Sequence, residues 1–155
     1  MTDPLALPWV RVGAYAIITD EADRILLCRI AAGYPEAGKW TLPGGGVDHG
    51  EHPDAGVVRE IAEETGLVAR VGPIASVESG YIPRPMSRPG PLHWVAILYH
   101  VEVEPGELRQ EVGGSTEICA WLPIAEVPGL GRVSLVDRAL DAVEARRGGV
   151  AGTSA

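Results

Sequence analysis

The sequence predicts an α/β protein in which a mixed β-sheet lies between helices. Strand-like segments alternate with two helix-like segments along 155 residues, a length that suits a single domain. One segment, LHWVAILYHVEV, is almost continuously apolar and rich in β-branched and aromatic residues, which is typical of a central buried strand. Each helical segment has an apolar stripe and a glycine at its end, so each can pack one face against the sheet.

The strands are predicted from apolar periodicity and from the turn residues between them. The first strand and its neighbour read as a hairpin closed by the turn EADR. A short strand then ends at Pro43, because proline cannot donate a ladder hydrogen bond. The predicted strands are residues 10–20, 25–30, 40–43, 67–82, 92–103 and 117–123.

The second helix is predicted to begin at Ser134, which can cap its N-terminus, and to end at Gly148. A further helical turn is expected at residues 124–127. The last residues are small and polar, so they are expected to be disordered. The chain is therefore divided into one domain, residues 1–147, and a tail, residues 148–155.

Composition and charge exclude several classes of function. The net charge of −8 disfavours binding of duplex nucleic acid through a basic surface. No segment approaches the ~18 consecutive apolar residues of a membrane span, so no membrane association is expected. The start, MTDPLALPW, lacks the basic and apolar regions of a secretory signal, which predicts a cytoplasmic protein.

The two cysteines, Cys28 and Cys119, are far apart in the sequence, and each lies in an apolar strand segment. This setting is typical of small buried side chains. We therefore predict buried free thiols in preference to a disulfide or a metal site.

Three glutamates crowd the first helix, which is predicted from about Pro53 to Gly66. Glu60, Glu63 and Glu64 fall within an arc of about 100°. The apolar stripe lies roughly opposite, so this face is expected to point away from the core. The stripe consists of Ala55, Val58, Ile61, Ala62 and Thr65.

Two interpretations of the glutamate face compete. An exposed like-charge pair costs only about 0.2–0.5 kcal/mol, so a solvated surface is acceptable. In a cleft, two carboxylates about 5 Å apart repel by about 3 kcal/mol at an effective dielectric near 20, which favours a bound divalent cation. Carboxylate oxygens are ligands for Mg²⁺ or Mn²⁺, which reach outward to substrate phosphates.

The glycines that precede the helix support the cation interpretation. Gly44, Gly45 and Gly46 allow close backbone approach, so a carbonyl there is available as a further ligand. The segment is not a P-loop, because no GK[ST] follows it. It also lacks the G-x-G-x-x-G fingerprint of dinucleotide-binding folds.

The stretch from Gly45 to Leu67 resembles the Nudix box, G-x5-E-x7-R-E-U-x-E-E-x-G-U, in which U is aliphatic. Every specified position is matched, by Gly45, Glu51, Arg59, Glu60, Ile61, Glu63, Glu64, Gly66 and Leu67. The resemblance implies a Nudix-type α/β/α sandwich. It also implies Mg²⁺-dependent hydrolysis of the diphosphate linkage in a nucleoside diphosphate derivative or a nucleoside triphosphate, with Mn²⁺ as a substitute.

The resemblance further implies roles for the residues of the box. Glu60 and Glu64 would be the principal Mg²⁺ ligands. Glu63 would be a further ligand or a proton acceptor, which makes Glu60 and Glu63 the catalytic candidates. The carbonyl of Gly44 would be an additional ligand.

Two other features are implied by the family pattern. Glu51 and Arg59 would form an ion pair that holds the loop against the helix. The general base would be either a box glutamate or a glutamate of a later loop, where Glu111 and Glu117 are preferred to Glu107.

Substrate contacts are predicted more broadly. Guanidinium groups suit phosphate. Arg84 and Arg88 lie in the proline-rich loop just before the central strand, and Arg29 lies at the end of the second strand. Aromatic residues can stack on a base, although packing is their more common role. The aromatic candidates are Tyr34, Tyr81 and Trp94.

Three functions remain open from the sequence. The preferred one is a pyrophosphohydrolase that acts on a small-molecule nucleotide. The alternatives are a non-catalytic nucleotide sensor with the same fold and an acidic protein-interaction module. A homodimer is compatible with the strands rich in valine and isoleucine.

Overall fold

The strands form two sheets in the computed structural model, which describes residues 6–151. Sheet A has the order β4-β1-β6-β5, and sheet B has the order β3-β2-β7. The elements are β1 (Trp9–Ile17), β2 (Arg24–Ile30), β3 (Trp40–Thr41), β4 (Gly44–Gly46), α1 (Pro53–Thr65), β5 (Ala69–Ile82), β6 (Leu92–Val103), β7 (Thr116–Pro123), a 3₁₀ helix (Ile124–Gly129) and α2 (Ser134–Ala151).

Sheet A is the mixed sheet that the sequence predicts. Strands β1 and β6 are parallel, whereas β4 and β5 pair antiparallel with their neighbours. Sheet B, which is wholly antiparallel, was not foreseen as a separate sheet. The two helices complete the α/β/α sandwich, so the predicted fold class is confirmed.

The predicted hairpin between the first two strands forms only next to its turn, where the Asp20 amide donates to the Arg24 carbonyl and the Leu26 amide donates to the Ile18 carbonyl. β1 pairs with β4 and β6, and β2 pairs with β3 and β7. One isolated bridge, Thr19 to Ile25, remains between them. Asp23 has a φ of 57°, and the chain turns there so that β2 enters sheet B. The apolar strand β6 occupies the place beside β1.

The two helices cover two hydrophobic clusters. On the α1 side, Val57 and Ile61 pack with Ala14, Ala16 and neighbouring core residues. On the α2 side, Val136, Ala139 and Val143 join a separate cluster that includes apolar residues of both sheets. The carboxylate-bearing helix is therefore anchored on sheet A through its apolar residues.

Helix α1 has the predicted bounds but a different buried face. The Nδ1 atom of His52 accepts a 3.2 Å hydrogen bond from the Asp54 amide, and Gly66, with φ of 74°, ends the helix. Ala55 and Ala62 are exposed instead of buried. Glu64 is only 1% exposed. The glutamate face is thus not simply solvated, because other segments cover one side of it.

Helix α2 extends beyond its predicted end. It continues through Gly148 and Gly149 to Ala151. Gly148 does not adopt the left-handed conformation that ends α1 at Gly66, so the helical hydrogen bonding continues. The rest of the predicted tail, residues 152–155, lies outside the described residues.

The prediction of free thiols is also wrong. Cys28 and Cys119 face each other on β2 and β7, with a Cα–Cα distance of 4.0 Å, and form a disulfide. They are separated by 91 residues in the sequence, so only the pairing of the strands brings them together. Both are buried.

Strand β5 lies at one edge of sheet A and carries exposed apolar side chains. Val77 and Tyr81 are 60% and 64% exposed.

None of the described helices combines the length and the apolarity that crossing a lipid bilayer requires. The homodimer stays a prediction.

Candidate active site

The strand of three glycines, β4, brings the backbone against the carboxylates of α1. A Cβ atom at Gly45 would lie 2.8 Å from Oε1 of Glu60, so a side chain at this position would displace that carboxylate. Gly44 has a φ of 137°, and a Cβ atom there would overlap the Ala14 carbonyl oxygen. Glycine is therefore required at Gly44 by conformation and by space.

Glu64 is the buried acid of the site. Its Oε1 atom accepts a 2.9 Å hydrogen bond from the Gly44 amide, and its Oε2 atom accepts a 3.1 Å hydrogen bond from the Thr116 hydroxyl. Burial raises the pKa of Glu64 to about 8, and the negative charge of Glu60 adds to this effect. The Gly44 hydrogen bond opposes the shift but does not cancel it.

Arg59 connects the loop before α1 to the glutamates. Its Nε atom lies 2.8 Å from Oε2 of Glu51, and a second nitrogen donates to Oε1 of Glu51 at 3.0 Å. The same guanidinium donates to Oε1 of Glu60 at 3.0 Å and to Oε2 of Glu63 at 3.3 Å. It also donates to the carbonyl of Gly46. One cation therefore organises three carboxylates and the glycine strand.

The pKa values reflect this arrangement. The hydrogen bond from Arg59 lowers the pKa of Glu51 to about 2. The pKa of Glu60 is raised because burial outweighs the attraction of Arg59. Glu51 is thus held as an anion, whereas Glu60 and Glu64 occupy positions that disfavour their own charge.

The loop between β6 and β7 approaches the same cluster. The negative charge of Glu111 raises the pKa values of Glu60 and Glu64, so this residue lies near both. Gln110 fixes the loop, because its side chain accepts from the Cys119 amide at 2.8 Å and donates to the Cys119 carbonyl at 3.3 Å.

The predicted substrate arginines and the loop acid Glu117 lie apart from the carboxylates of α1. Arg29 forms a 2.7 Å ion pair with Glu117, so each neutralises the other. Arg88 lies 5.2 Å from the centre of the Trp9 ring, in a cation–π contact. Arg84 is exposed in the same loop. Among the described contacts, none joins Arg84 or Arg88 to the carboxylates.

Sequence reasoning missed Arg11. Its guanidinium lies against Gly46, where an added Cβ atom would be 3.3 Å from one of its nitrogens. Arg11 is opposite Trp94 in the register of β1 and β6, and the Trp94 ring covers Gly80. Only the strand register brings Arg11 to the glycine strand, and the sequence carries no signal for that register.

Two kinds of donor meet at Glu64. Its carboxylate and the sulfur atoms of Cys28 and Cys119 lie within 4.8 Å of one another. Since the sulfurs are joined in a disulfide, they offer no thiolate ligand. The remaining donors are carboxylate and backbone oxygens, which suit hard divalent cations.

A model of the NUDIX domain matches residues 9–141 of the chain. The chain belongs to the Nudix family. A solved structure that resembles this Nudix protein is a MutT NUDIX hydrolase from Burkholderia pseudomallei, with 33% identity and a TM-score of 0.72. That match covers 87% of this chain and 98% of the other.

Curated relatives match shorter segments of this Nudix protein. An ADP-ribose pyrophosphatase from Methanocaldococcus jannaschii is 36% identical over 92 residues, which cover 59% of this chain and 51% of that protein. An 8-oxo-dGTP diphosphatase from Escherichia coli is 43% identical over 54 residues, 35% of this chain and 42% of that protein. The chain thus matches about half or less of the length of these relatives.

Proposed function

We propose that this Nudix protein hydrolyses the diphosphate linkage of a nucleoside diphosphate derivative or a nucleoside triphosphate, with Mg²⁺ as its cofactor. The observation that carries the proposal is the cluster of Glu60, Glu63 and Glu64 on one helix beside a glycine strand. Relatives named ADP-ribose pyrophosphatase and 8-oxo-dGTP diphosphatase support the same reaction class.

The donor set fits a hard divalent cation. Arg59 donates to Glu60 and Glu63 and is shared with Glu51, so its single positive charge does not neutralise the carboxylates around it. Glu60, Glu63 and Glu64, with the Gly44 carbonyl, would hold Mg²⁺, or Mn²⁺ in its place. The bound ion would neutralise charge on the phosphates and lower the pKa of a bound water.

The protein groups have separate tasks in this reaction. Water attacks phosphorus, the bond to the bridging oxygen breaks, and a carboxylate accepts the proton of the water. Glu63 is the proton acceptor offered by the helix, and Glu111 is the one offered by the loop. The ion pair of Arg59 with Glu51 holds the loop in position during these steps.

Positively charged side chains would bind the rest of the substrate. Arg11 lies beside the glycine strand, so it is suited to a phosphate of the substrate. Its strand neighbour Trp94 packs against the cluster on the α2 side and its ring covers Gly80, so the contacts of this aromatic candidate support packing. Arg84 and Arg88 belong to the loop between β5 and β6. Arg29 would have to break its ion pair with Glu117 before it could bind a phosphate.

The test is an assay of nucleoside diphosphate derivatives and triphosphates with and without Mg²⁺, in which products are identified by mass. Cleavage should require Mg²⁺, and Glu60→Gln should reduce turnover at least about a hundredfold while the fold is retained. Glu78→Gln is the matched control, because Glu78 faces Arg138 of α2 at 3.7 Å, away from the box.

The same assay distinguishes an enzyme from a sensor. Saturable nucleotide binding without Mg²⁺-stimulated cleavage would contradict hydrolysis and favour a non-catalytic nucleotide sensor. The absence of both cleavage and binding would favour a protein-interaction module. We also propose a cytoplasmic location and a homodimer, which this assay does not test.

A further inference from the structure

A second concave site lies between sheet A and the last turns of α2. This cleft has a volume of about 620 Å³ and contains none of the Nudix box residues. The ends of β1 and β6 and the start of β5 form one wall, and α2 forms the other. Its volume falls within the range of about 300–1,000 Å³ that is usual for small-molecule sites.

The cleft gathers positive charge in a chain whose net charge is −8. Arg70 and His100 face it from the sheet, and Arg146 and Arg147 face it from α2. The pKa of His100 is lowered, first by burial and then by the charge of Arg146. The two groups are therefore close, although they repel each other when both are charged.

The carboxylates near these cations leave part of the charge uncompensated. Arg70 lies 3.6 Å from Glu102, but both side chains are about four-fifths exposed, so this pair is weak. Arg147 pairs with Asp23. Among the described residues, no carboxylate lies within ion-pair distance of Arg146. Arg146 and Arg147 precede the last turn of α2, which carries no basic residue, so the helix dipole does not account for them.

The backbone of β5 shapes the floor of the cleft. The pairing of β5 with β6 is interrupted between Val71 and Ile74, and this bulge includes Gly72 and Pro73. A Cβ atom at Gly72 would lie 2.7 Å from the His100 carbonyl oxygen, so only glycine allows this approach. The bulge thus brings the strand close to His100 at the place where the cations meet.

We propose that this cleft binds a small organic phosphate, at a site separate from the Nudix box. The guanidinium groups of Arg70, Arg146 and Arg147 match the geometry of a phosphate group. The remaining lining, which includes Ile17 and Val143, provides apolar contact for the body of the ligand. This inference does not depend on the proposed hydrolase activity.

AMP is a suitable probe, and its binding can be followed by amide chemical shifts of isotope-labelled protein without divalent cations. AMP should perturb the amides of Val71, Gly72 and His100. Adenosine and inorganic phosphate should each bind at least about tenfold more weakly than AMP. Adenosine lacks the phosphate that the arginines contact, and inorganic phosphate lacks the nucleoside that the apolar lining contacts. Perturbation confined to the glycine strand and α1, or no perturbation, would overturn the proposal.

Two arginines of α2 provide a matched pair of variants. Arg146→Ala should weaken AMP binding about tenfold or more, the loss expected for a charge-assisted hydrogen bond. Arg138→Ala removes an equal charge from the same helix outside the cleft and should change the affinity less than twofold. Equal effects of both variants, or binding of adenosine as tight as that of AMP, would refute a phosphate site here.

Discussion

The backbone amide of Gly44 donates a 2.9 Å hydrogen bond to Oε1 of Glu64, which joins strand β4 to the last turn of α1. The same carboxylate accepts from Thr116 at the start of β7. One buried acid of α1 therefore contacts both sheet A and sheet B. Changes of its charge should affect both stability and the proposed chemistry.

The first prediction concerns Glu64 and pH. The pKa of Glu64 is about 8 in the folded protein, compared with 4.5 for an unperturbed glutamate in the unfolded chain. Between pH 4.5 and pH 8 the folded state therefore keeps a proton on Glu64 that the unfolded state has released. Stability of the metal-free protein should therefore fall as pH rises from about 4.5 to 8. Glu64→Gln should be more stable than the wild type at pH 8 by on the order of 1–3 kcal/mol, with little difference near pH 4.5.

Urea unfolding in the presence of a chelator measures this difference. Glu63→Gln, which changes an exposed residue of the same helix, should show no such pH-dependent gain. Addition of Mg²⁺ should stabilise the wild type and not Glu64→Gln. A Glu64→Gln protein that is less stable than the wild type at pH 8 would contradict the prediction.

The second prediction compares two neighbouring glycines. Gly45→Ala meets the mobile end of Glu60, so the fold should be retained while Mg²⁺ affinity and turnover fall. Gly44→Ala meets the Ala14 backbone at a φ of 137°, so it should cost about 2 kcal/mol or more of stability. Thermal unfolding and Mg²⁺ titration separate the two effects. Equal destabilisation by both substitutions would show that Glu60 is not displaced as described.

The third prediction concerns Arg59. Arg59→Met removes charge-assisted hydrogen bonds to Glu51, Glu60 and Gly46, and should destabilise the protein by about 1–3 kcal/mol. Arg59→Lys keeps the charge but loses the bidentate contact, so its stability should lie between that of the wild type and that of Arg59→Met. Chemical denaturation gives the order of stability. A lysine variant as unstable as the methionine variant would exclude a contribution of the charge.

The fourth prediction separates two loop acids. Glu111→Gln should lower kcat by about 10²–10⁴ if Glu111 accepts the proton, with Mg²⁺ binding preserved. Glu117→Gln should have a small effect on kcat, because Glu117 is paired with Arg29 at 2.7 Å. Steady-state kinetics at several pH values measures both variants. Unchanged kcat in Glu111→Gln would assign the proton transfer to Glu63 instead.

The fifth prediction concerns the disulfide. Reduction with an external dithiol opens a cross-link between residues 91 positions apart, and should lower the free energy of unfolding by about 2–4 kcal/mol. The double variant Cys28→Ala with Cys119→Ala should unfold like the reduced protein. Denaturation without reductant followed by thiol titration provides the control. Two titratable thiols in that control would show that the bond is absent.

The sequence was sufficient for the parts of the fold that depend on local patterns. The bounds of α1 follow from Pro53 and Gly66, and the central strand β6 follows from its apolar run. The glutamates and Arg59 share one helix, so their proximity is set by helical spacing. These features require no knowledge of distant contacts.

Other features depend on strand pairing, which local patterns do not encode. The burial of Glu64 results from contacts with Gly44 and Thr116, which lie 20 and 52 residues away. The disulfide and the position of Arg11 beside Gly46 have the same origin. The burial of Ala55 was misjudged because α1 meets neighbours on more than one side.

The edge position of β5 bears on how the protein behaves in concentrated solution. Its outer backbone groups and exposed apolar side chains offer a template for strand pairing between molecules. At neutral pH the charge of −8 keeps copies apart by mutual repulsion. Near the isoelectric point of 4.9 that repulsion disappears, so precipitation should be most severe there and storage above pH 7 is preferable.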